Sequence, residues 1–366
     1  MSALALIRVL LATSALVLLF AQPSTAESPI RRLTQTTVAN VRPAWSPDAK
    51  RIAFQRGDTD GNYRVYVMDA DGRNARRVSG EADDRHPAWS PDGKLLAVDS
   101  GTQAIREIWI VDVASGQRTQ VTRIGAIASF PSWSPDGGTI TFYLYRGGAT
   151  DLWKVGRDGA DARAITRTLA SENRQQCTFA CHAAAWSPRG DRIAYSDGDQ
   201  ARVIVMAAAG GSSTTVSPDD ERSHFPVYLA DGSLVYVSEH ITLDASWTDL
   251  WALPDGSATR AELVPGVTAQ GPFEISADGR QLLFASPRSG NFEIYAVTLD
   301  DAGKAALAQR LTLASDTAAN DDVATTPVVK SSVGPFGENG PVLLGIAAIA
   351  LIGIGVELLV RARRMG

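Results

Sequence analysis

An eight-residue phrase recurs along this 366-residue chain. "RPAWSPDA" stands at 42–49, "HPAWSPDG" at 86–93, "FPSWSPDG" at 130–137 and "AAAWSPRG" at 183–190. Trp45, Trp89 and Trp133 are 44 residues apart, and Trp186 follows after 53. Two later copies keep the turn and change the aromatic: "FPVYLADG" puts Tyr228 in the Trp column, and "FEISADG" puts Ile275 there. A second column repeats in step through Tyr66, Trp109, Trp153, Ile204, Trp251 and Tyr295. A third is a short run that mostly closes on Thr or Ser: "RRVS", "TQVT", "RAIT", "TTVS", "AELV" and "QRLT". A shared period constrains the fold strongly, because every unit must adopt the same local structure.

Each unit folds by pattern. "PAW" before "SPDG" is a short apolar strand entering a turn in which Pro fixes φ and Gly supplies positive φ. "RIAF" and "KLLAV" are β-rich runs of strand length, and "EIWIVDV" leads to a second Gly turn before "RTQVT". Gly and Pro in every unit, with no 3.6-residue apolar stripe, exclude a helical repeat. Four short strands per unit match the arithmetic of a β-propeller, at about 40–50 residues per four-stranded blade. One such sheet cannot bury both faces, so the units must stack on one another. The expected fold is all-β: a six-bladed propeller over residues 27–330.

"PAWSPDGKLLAV" followed by "IWIVDVASGQRTQVT" resembles the propeller repeat of TolB, a periplasmic component of the Tol–Pal system, and of TolB-like proteins generally. The resemblance covers roughly residues 32–330 and implies a propeller; it departs in one respect, since TolB carries an α/β domain before its propeller and here the repeats begin almost at the expected mature N-terminus. "DDVATTPVV" (321–329) mirrors "DDRHPAW", which implies that the C-terminal end meets "RRLTQT" (31–36) to close the ring. Closure removes exposed sheet edges.

Residues 1–26 carry Arg8, the 13-residue apolar run "VLLATSALVLLFA" and then "PSTA", the layout of a secretory signal peptide. Residues 342–360, "VLLGIAAIALIGIGVELLV", are long enough to form a transmembrane helix, with Glu357 in the last turn. The basic tail "RARR" within 361–366 then falls on the cytoplasmic side by the positive-inside rule, and 331–341 is a linker. A C-terminal sorting signal is the alternative, although "GPFGENG" (334–340) matches no such motif cleanly. These ends imply a single-pass bacterial membrane protein whose propeller faces the periplasm or the cell exterior.

The net charge of −5 gives no basic surface for nucleic acid. The two cysteines, Cys177 and Cys181, sit in the insertion that lengthens the third interval, and in an oxidising compartment a local disulfide is expected. "CTFACH" is one residue longer than a haem-attachment motif, and His182 with two thiols leaves zinc without an evident fourth ligand. No G-x-S-x-G elbow is present. "DTDGN" (58–62) and "DADGRN" (69–74) have calcium-loop character, but neither reaches an acidic twelfth position, and both lie where a turn is needed. No catalytic residue, cofactor or metal site is therefore named.

What remains is surface. The loops opposite the "SPDG" turns differ in length and charge from unit to unit. They bring candidates for a binding face: Asp84, Arg85, His86, Asp220, Arg222, His224, Glu239, His240 and Trp247. Histidines among mixed charges could make binding depend on pH between about 5 and 8. The expected function is a non-enzymatic binding or scaffold module of the envelope, its partner a protein, peptide or glycan. The alternative is a glycan- or peptide-directed hydrolase or lyase with active residues at the channel mouth.

Overall fold

A computed structural model describes residues 30–80, 82–167, 183–197, 201–241, 246–267, 273–287 and 289–300. The segments expected to be the signal peptide, disulfide loop, 321–329 strand, linker, transmembrane helix and tail lie outside them. Among the described residues all 24 elements are strands. No helix there is long and apolar enough to cross a membrane.

The first unit is an antiparallel meander of Asn40–Trp45, Arg51–Gly57, Tyr63–Asp69 and Arg76–Arg77. The fourth and fifth units repeat it, with Ala185–Trp186 and Arg222–Tyr228 as their first strands. The second and third units are joined into one eight-stranded sheet by a single parallel pairing, Ile127 with Arg106. The last sheet runs Phe273–Ile275, Gln281–Ser286, Glu293–Thr298 and then Ile30–Arg32 from the other end of the chain. Antiparallel pairing of Ile30–Arg32 with Glu293–Thr298 completes that sheet, so N-terminal "IRRLT" fills the place expected for "QRLT" (309–312), which lies outside the described residues.

The repeated columns have one chemistry each. Ser46, Ser90, Ser134, Ser187 and Ser276 donate through Oγ to the acid of their own turn at 2.5–2.7 Å. The same oxygen accepts the backbone N–H five residues on. The hydroxyls that close the third column (Ser79, Thr122, Thr166, Ser217 and, by closure, Thr34) accept a backbone N–H from the third strand at 2.8–3.0 Å. The outer strand is too short to satisfy that donor, and a side chain does so instead.

The second strands are buried almost continuously: Ile52, Ala53 and Phe54, then Leu96, Ala97 and Val98, are all closed to solvent. Continuous rather than alternating burial means that both faces of these sheets are covered. Six apolar clusters do the covering, each drawn from two consecutive units. One of them packs Trp45, Ile52 and Phe54 of the first unit against Leu283 and Ile294 of the last. The Trp column stands in these seams. Trp89 Nε1 donates to Ala44 O at 3.1 Å, Trp133 Nε1 to Ala88 O at 3.2 Å and Trp186 Nε1 to Thr141 Oγ1 at 3.1 Å, each to the preceding unit.

Candidate functional site

The first strands of four units share a defect that builds the centre of the molecule. Pairing slips between Val41 and Ala44, Arg85 and Ala88, Ser129 and Ser132, and His224 and Val227. In each bulge the residue before Pro, namely Arg42, His86, Phe130 or Phe225, takes a φ between 50° and 57°. That conformation costs an L-residue about 1–2 kcal/mol, and pre-proline positions otherwise favour extended backbone. A bulge bends its strand and re-aims a side chain. The freed N–H groups find partners on the preceding unit: His86 N donates to Gln55 Oε1 at 2.9 Å and Phe130 N to Asp99 Oδ1 at 3.3 Å.

Arg42, His86 and Phe130 thereby line a cavity of about 240 Å³, together with Glu274 and with Pro43, Pro87, Pro131 and Pro226 as an apolar wall. Trp45, Pro47 and Trp89 extend the lining towards the "SPDG" end of the strands. Arg42 reaches from the first unit to the third, its guanidinium carbon 5.3 Å from the Phe130 ring centre, while His86 stacks on that ring at 3.8 Å.

Behind His86 lies a buried carboxylate. Asp99 Oδ1 accepts the His86 Nδ1 proton at 2.6 Å, and Oδ2 accepts Arg106 Nε at 2.6 Å. Arg106 also donates to Asp83 Oδ2 at 2.8 Å. Burial opposes ionisation of Asp99, but His86 and Arg106 outweigh it and hold the carboxyl well below its ordinary range. Burial pulls the His86 imidazole below its usual value, against the attraction of Asp99. The Arg42 guanidinium is pushed down to about 10, chiefly by burial and against the pull of Asp99 and Glu274. The arrangement offers a neutral imidazole held by a carboxylate, one cation and an apolar wall.

The residues singled out from sequence fall into two groups, one on the second unit and one on the fifth. On the second, Asp84 is 0 % exposed and accepts Arg118 Nη2 at 2.8 Å, and burial pushes its carboxyl up. Arg85 folds onto Asp83 at 2.9 Å and onto the Tyr63 ring. On the fifth, His224 is 2 % exposed, with Nε2 3.4 Å from Glu239 Oε2, to which Arg222 Nε also donates at 3.3 Å. The hydrogen bond from His224 is the foremost cause holding the Glu239 carboxyl below its ordinary value. Asp220 is exposed, and so is Arg222, with 54 % of its side chain open.

Two placements correct the loop reading. Asp84 and His224 are buried strand residues, because the inner strands begin at Asp83 and Arg222, before the bulge. Of "EHITLDASW" (239–247), the described residues lie on strands, Leu234–Ile241 and Ser246–Leu253, which pair His240 opposite Trp247. Cys177 and Cys181 lie outside the described residues.

Arg42 was not among the sequence candidates. Its signal was the column itself, since the residue three before the Trp is Arg42, His86 and Phe130 in successive units. The "DTDGN" loop supplies its own cation: Arg64 Nη2 lies 2.6 Å from Asp60 Oδ2, and its Nε 3.8 Å from Asp58 Oδ2. "DADGRN" is a turn, with Asp71 accepting Arg73 N and Asp69 accepting Asn74 Nδ2.

Meandering sheets packed face to face around a central cavity define a β-propeller. Residues 82–245 match the family model of the TolB beta propeller domain, so the TolB-like resemblance read from the repeats holds over that segment. Among solved structures the chain is similar to TolB from Acinetobacter baumannii, at 18 % identity and a TM-score of 0.54. That match covers 69 % of this chain and 64 % of the other, less than two thirds of the TolB length. It is also similar to an oligogalacturonate lyase in complex with manganese, at 15 % identity and a TM-score of 0.54, covering 74 % of this chain and 93 % of that one. At these identities the likeness concerns the fold. Comparison with curated protein sequences finds no match.

Proposed function

We propose that the protein is a six-bladed TolB-like propeller of the bacterial envelope that binds a partner without catalysis. The count of six takes the eight-stranded sheet as two blades bridged by one residue pair, and the six inter-unit clusters support it. In this reading residues 1–26 are a cleaved signal, 342–360 anchor the chain in the membrane and 361–366 are cytoplasmic. The partner is an envelope protein, peptide or glycan.

One contrast carries the reading. The acids of the "SPDG" turns are bound to their own Ser hydroxyls, for instance Asp92 to Ser90 and Asp136 to Ser134, so that face is scaffold. At the opposite end, Asp220 and Arg222 are exposed, and Arg222 pairs with the half-buried Glu239, on loops that differ in length and charge from unit to unit. Variation on a rigid frame is how one fold presents a specific surface. Arg222→Ala with Trp247→Ala is expected to weaken partner binding by about 2 kcal/mol or more with folding intact. Equal loss from Asp92→Ala and Asp136→Ala would show that the other face binds. A tag after Gly366 is expected to resist external protease while residues 27–330 are accessible to it.

His86 favours a second reading. A neutral imidazole held by Asp99 beside Arg42, in a cavity, has the parts of a general base with an anion-stabilising cation. Turnover of acidic glycans or peptides that is lost in His86→Gln would establish that reading instead.

A further inference from the structure

We infer that the central cavity is a binding site for a small organic monocarboxylate, held by Arg42 against the proline and phenylalanine wall. This stands apart from the docking of a partner on the loop face.

Two donors of the lining lack acceptors. Arg42 Nη1 and Trp45 Nε1 are both closed to solvent and both without a hydrogen-bond partner. An unmade bond at a buried donor costs about 1–3 kcal/mol, and more at a charged group. The contrast with other units is specific. Trp89 and Trp133 give their indole protons to the backbone carbonyl just before the Trp of the preceding unit, at Ala44 and Ala88. The corresponding carbonyl for Trp45 belongs to Glu274, another residue of the lining, and Trp45 Nε1 does not make that bond. Arg42 likewise has no counterpart. The same bulge carries His86, which is tied to Asp99, and Phe130, which is apolar.

The chemistry of the ligand follows from these groups. Two N–H donors, one of them cationic, require an acceptor, and a carboxylate matches the planar guanidinium fork. Pro43, Pro87, Pro131, Pro226 and Phe130 give the lining an apolar side, which suits a hydrocarbon or aromatic body, while Ser132, His86 and Glu274 are its other polar groups and the Glu274 charge limits the ligand to one carboxylate. At about 240 Å³ the cavity holds roughly eight waters' worth of volume, enough for a single small molecule and too little for a folded segment.

The test uses the full chain in detergent, titrated with sodium benzoate and, separately, with the neutral isostere benzamide. Calorimetry and tryptophan fluorescence supply the two readouts. Benzoate is expected to bind about tenfold or more tightly than benzamide, and Arg42→Gln to remove that preference with the melting temperature unchanged. Should Arg42→Gln fail to fold, Arg42→Lys keeps the charge without the fork, and weaker benzoate binding with benzamide unaffected supports the site. Equal binding of the two probes, no binding of benzoate, or full benzoate affinity in the folded Arg42 variant overturns it. A loop-face partner can be lost or found without moving any of these results, so the two readings fail separately.

Discussion

The indole N–H of Trp89 donates to the carbonyl oxygen of Ala44 across the seam between two sheets, at 3.1 Å. One residue thus joins the apolar packing of a seam to a hydrogen bond that fixes the register of neighbouring sheets. Trp45 packs in the equivalent seam without that bond. Either Trp→Ala change is expected to cost about 3–5 kcal/mol. The Trp→Phe changes separate the two terms. Trp89→Phe is expected to cost about 1 kcal/mol more than Trp45→Phe, measured by denaturant midpoints, because only Trp89 has a bond to lose. Equal costs would mean that the bond contributes nothing.

Ala49 closes the first "SPDA" turn at φ 54°, where the turns of other units place Gly93 and Gly137 at φ 67° and 69°. Left-handed backbone strains Ala and leaves Gly free, while Gly loses more entropy on folding. Ala49→Gly is expected to raise stability by about 0.5–1 kcal/mol, read as a higher melting temperature. A lower one would show that the Ala49 methyl contacts in the seam outweigh the strain.

Glu293 is fully buried and collects the returning N-terminal strand. It accepts Thr36 N at 2.7 Å, Asn40 Nδ2 at 2.9 Å and Arg32 Nη2 at 3.2 Å, together with the Thr34 hydroxyl. Glu293→Ala strands several buried donors and is expected to cost about 3 kcal/mol or more. Hydrogen exchange at Ile30–Arg32 should rise ahead of exchange at the second-unit strand Leu95–Gly101. Uniform loss of protection would mean that closure is not a separable step.

His86 is held neutral by burial, with its pKa below the usual value of about 6.5. The sign follows from proton uptake. Below about pH 6.5 the unfolded chain binds a proton at this residue and the folded chain does not, so stability is present above that pH and falls as pH drops. Asp99 acts in the same sense, in the acid window below about 3.9, whereas Asp84, pushed up by burial, acts in the opposite sense. Melting temperature is expected to fall between pH 7.5 and 5.5, less steeply in His86→Gln. An unchanged slope in that variant would assign the dependence elsewhere.

What the sequence disclosed and what it hid divide along physical lines. The period exposed the turns and seams, since Ser90, Asp92 and Trp89 each perform one local task repeated in most units, and repetition is visible in one dimension. Closure by "IRRLT" was half legible: the segment matched the third column, but its place beside Glu293–Thr298 depends on chain ends meeting in space. Asp84 and His224 were read as loop residues because Pro normally marks a strand's edge. The bulge before Pro lets the strand run back past it and carries both inside. Arg42 was passed over because a lone Arg in an apolar run reads as solvent-facing, and its positive φ, which turns it inward, leaves no mark in residue type.

The proposed docking face can be probed in intact cells with a photocrosslinking amino acid at position 222, in the open loop face, or at position 136, in an "SPDG" turn. A discrete adduct from position 222 and none from position 136 is the expected result, and it should shrink when Trp247→Ala is added. An adduct from position 136 alone, or equal adducts from both, would contradict the assignment of the loop face as the surface through which this propeller acts.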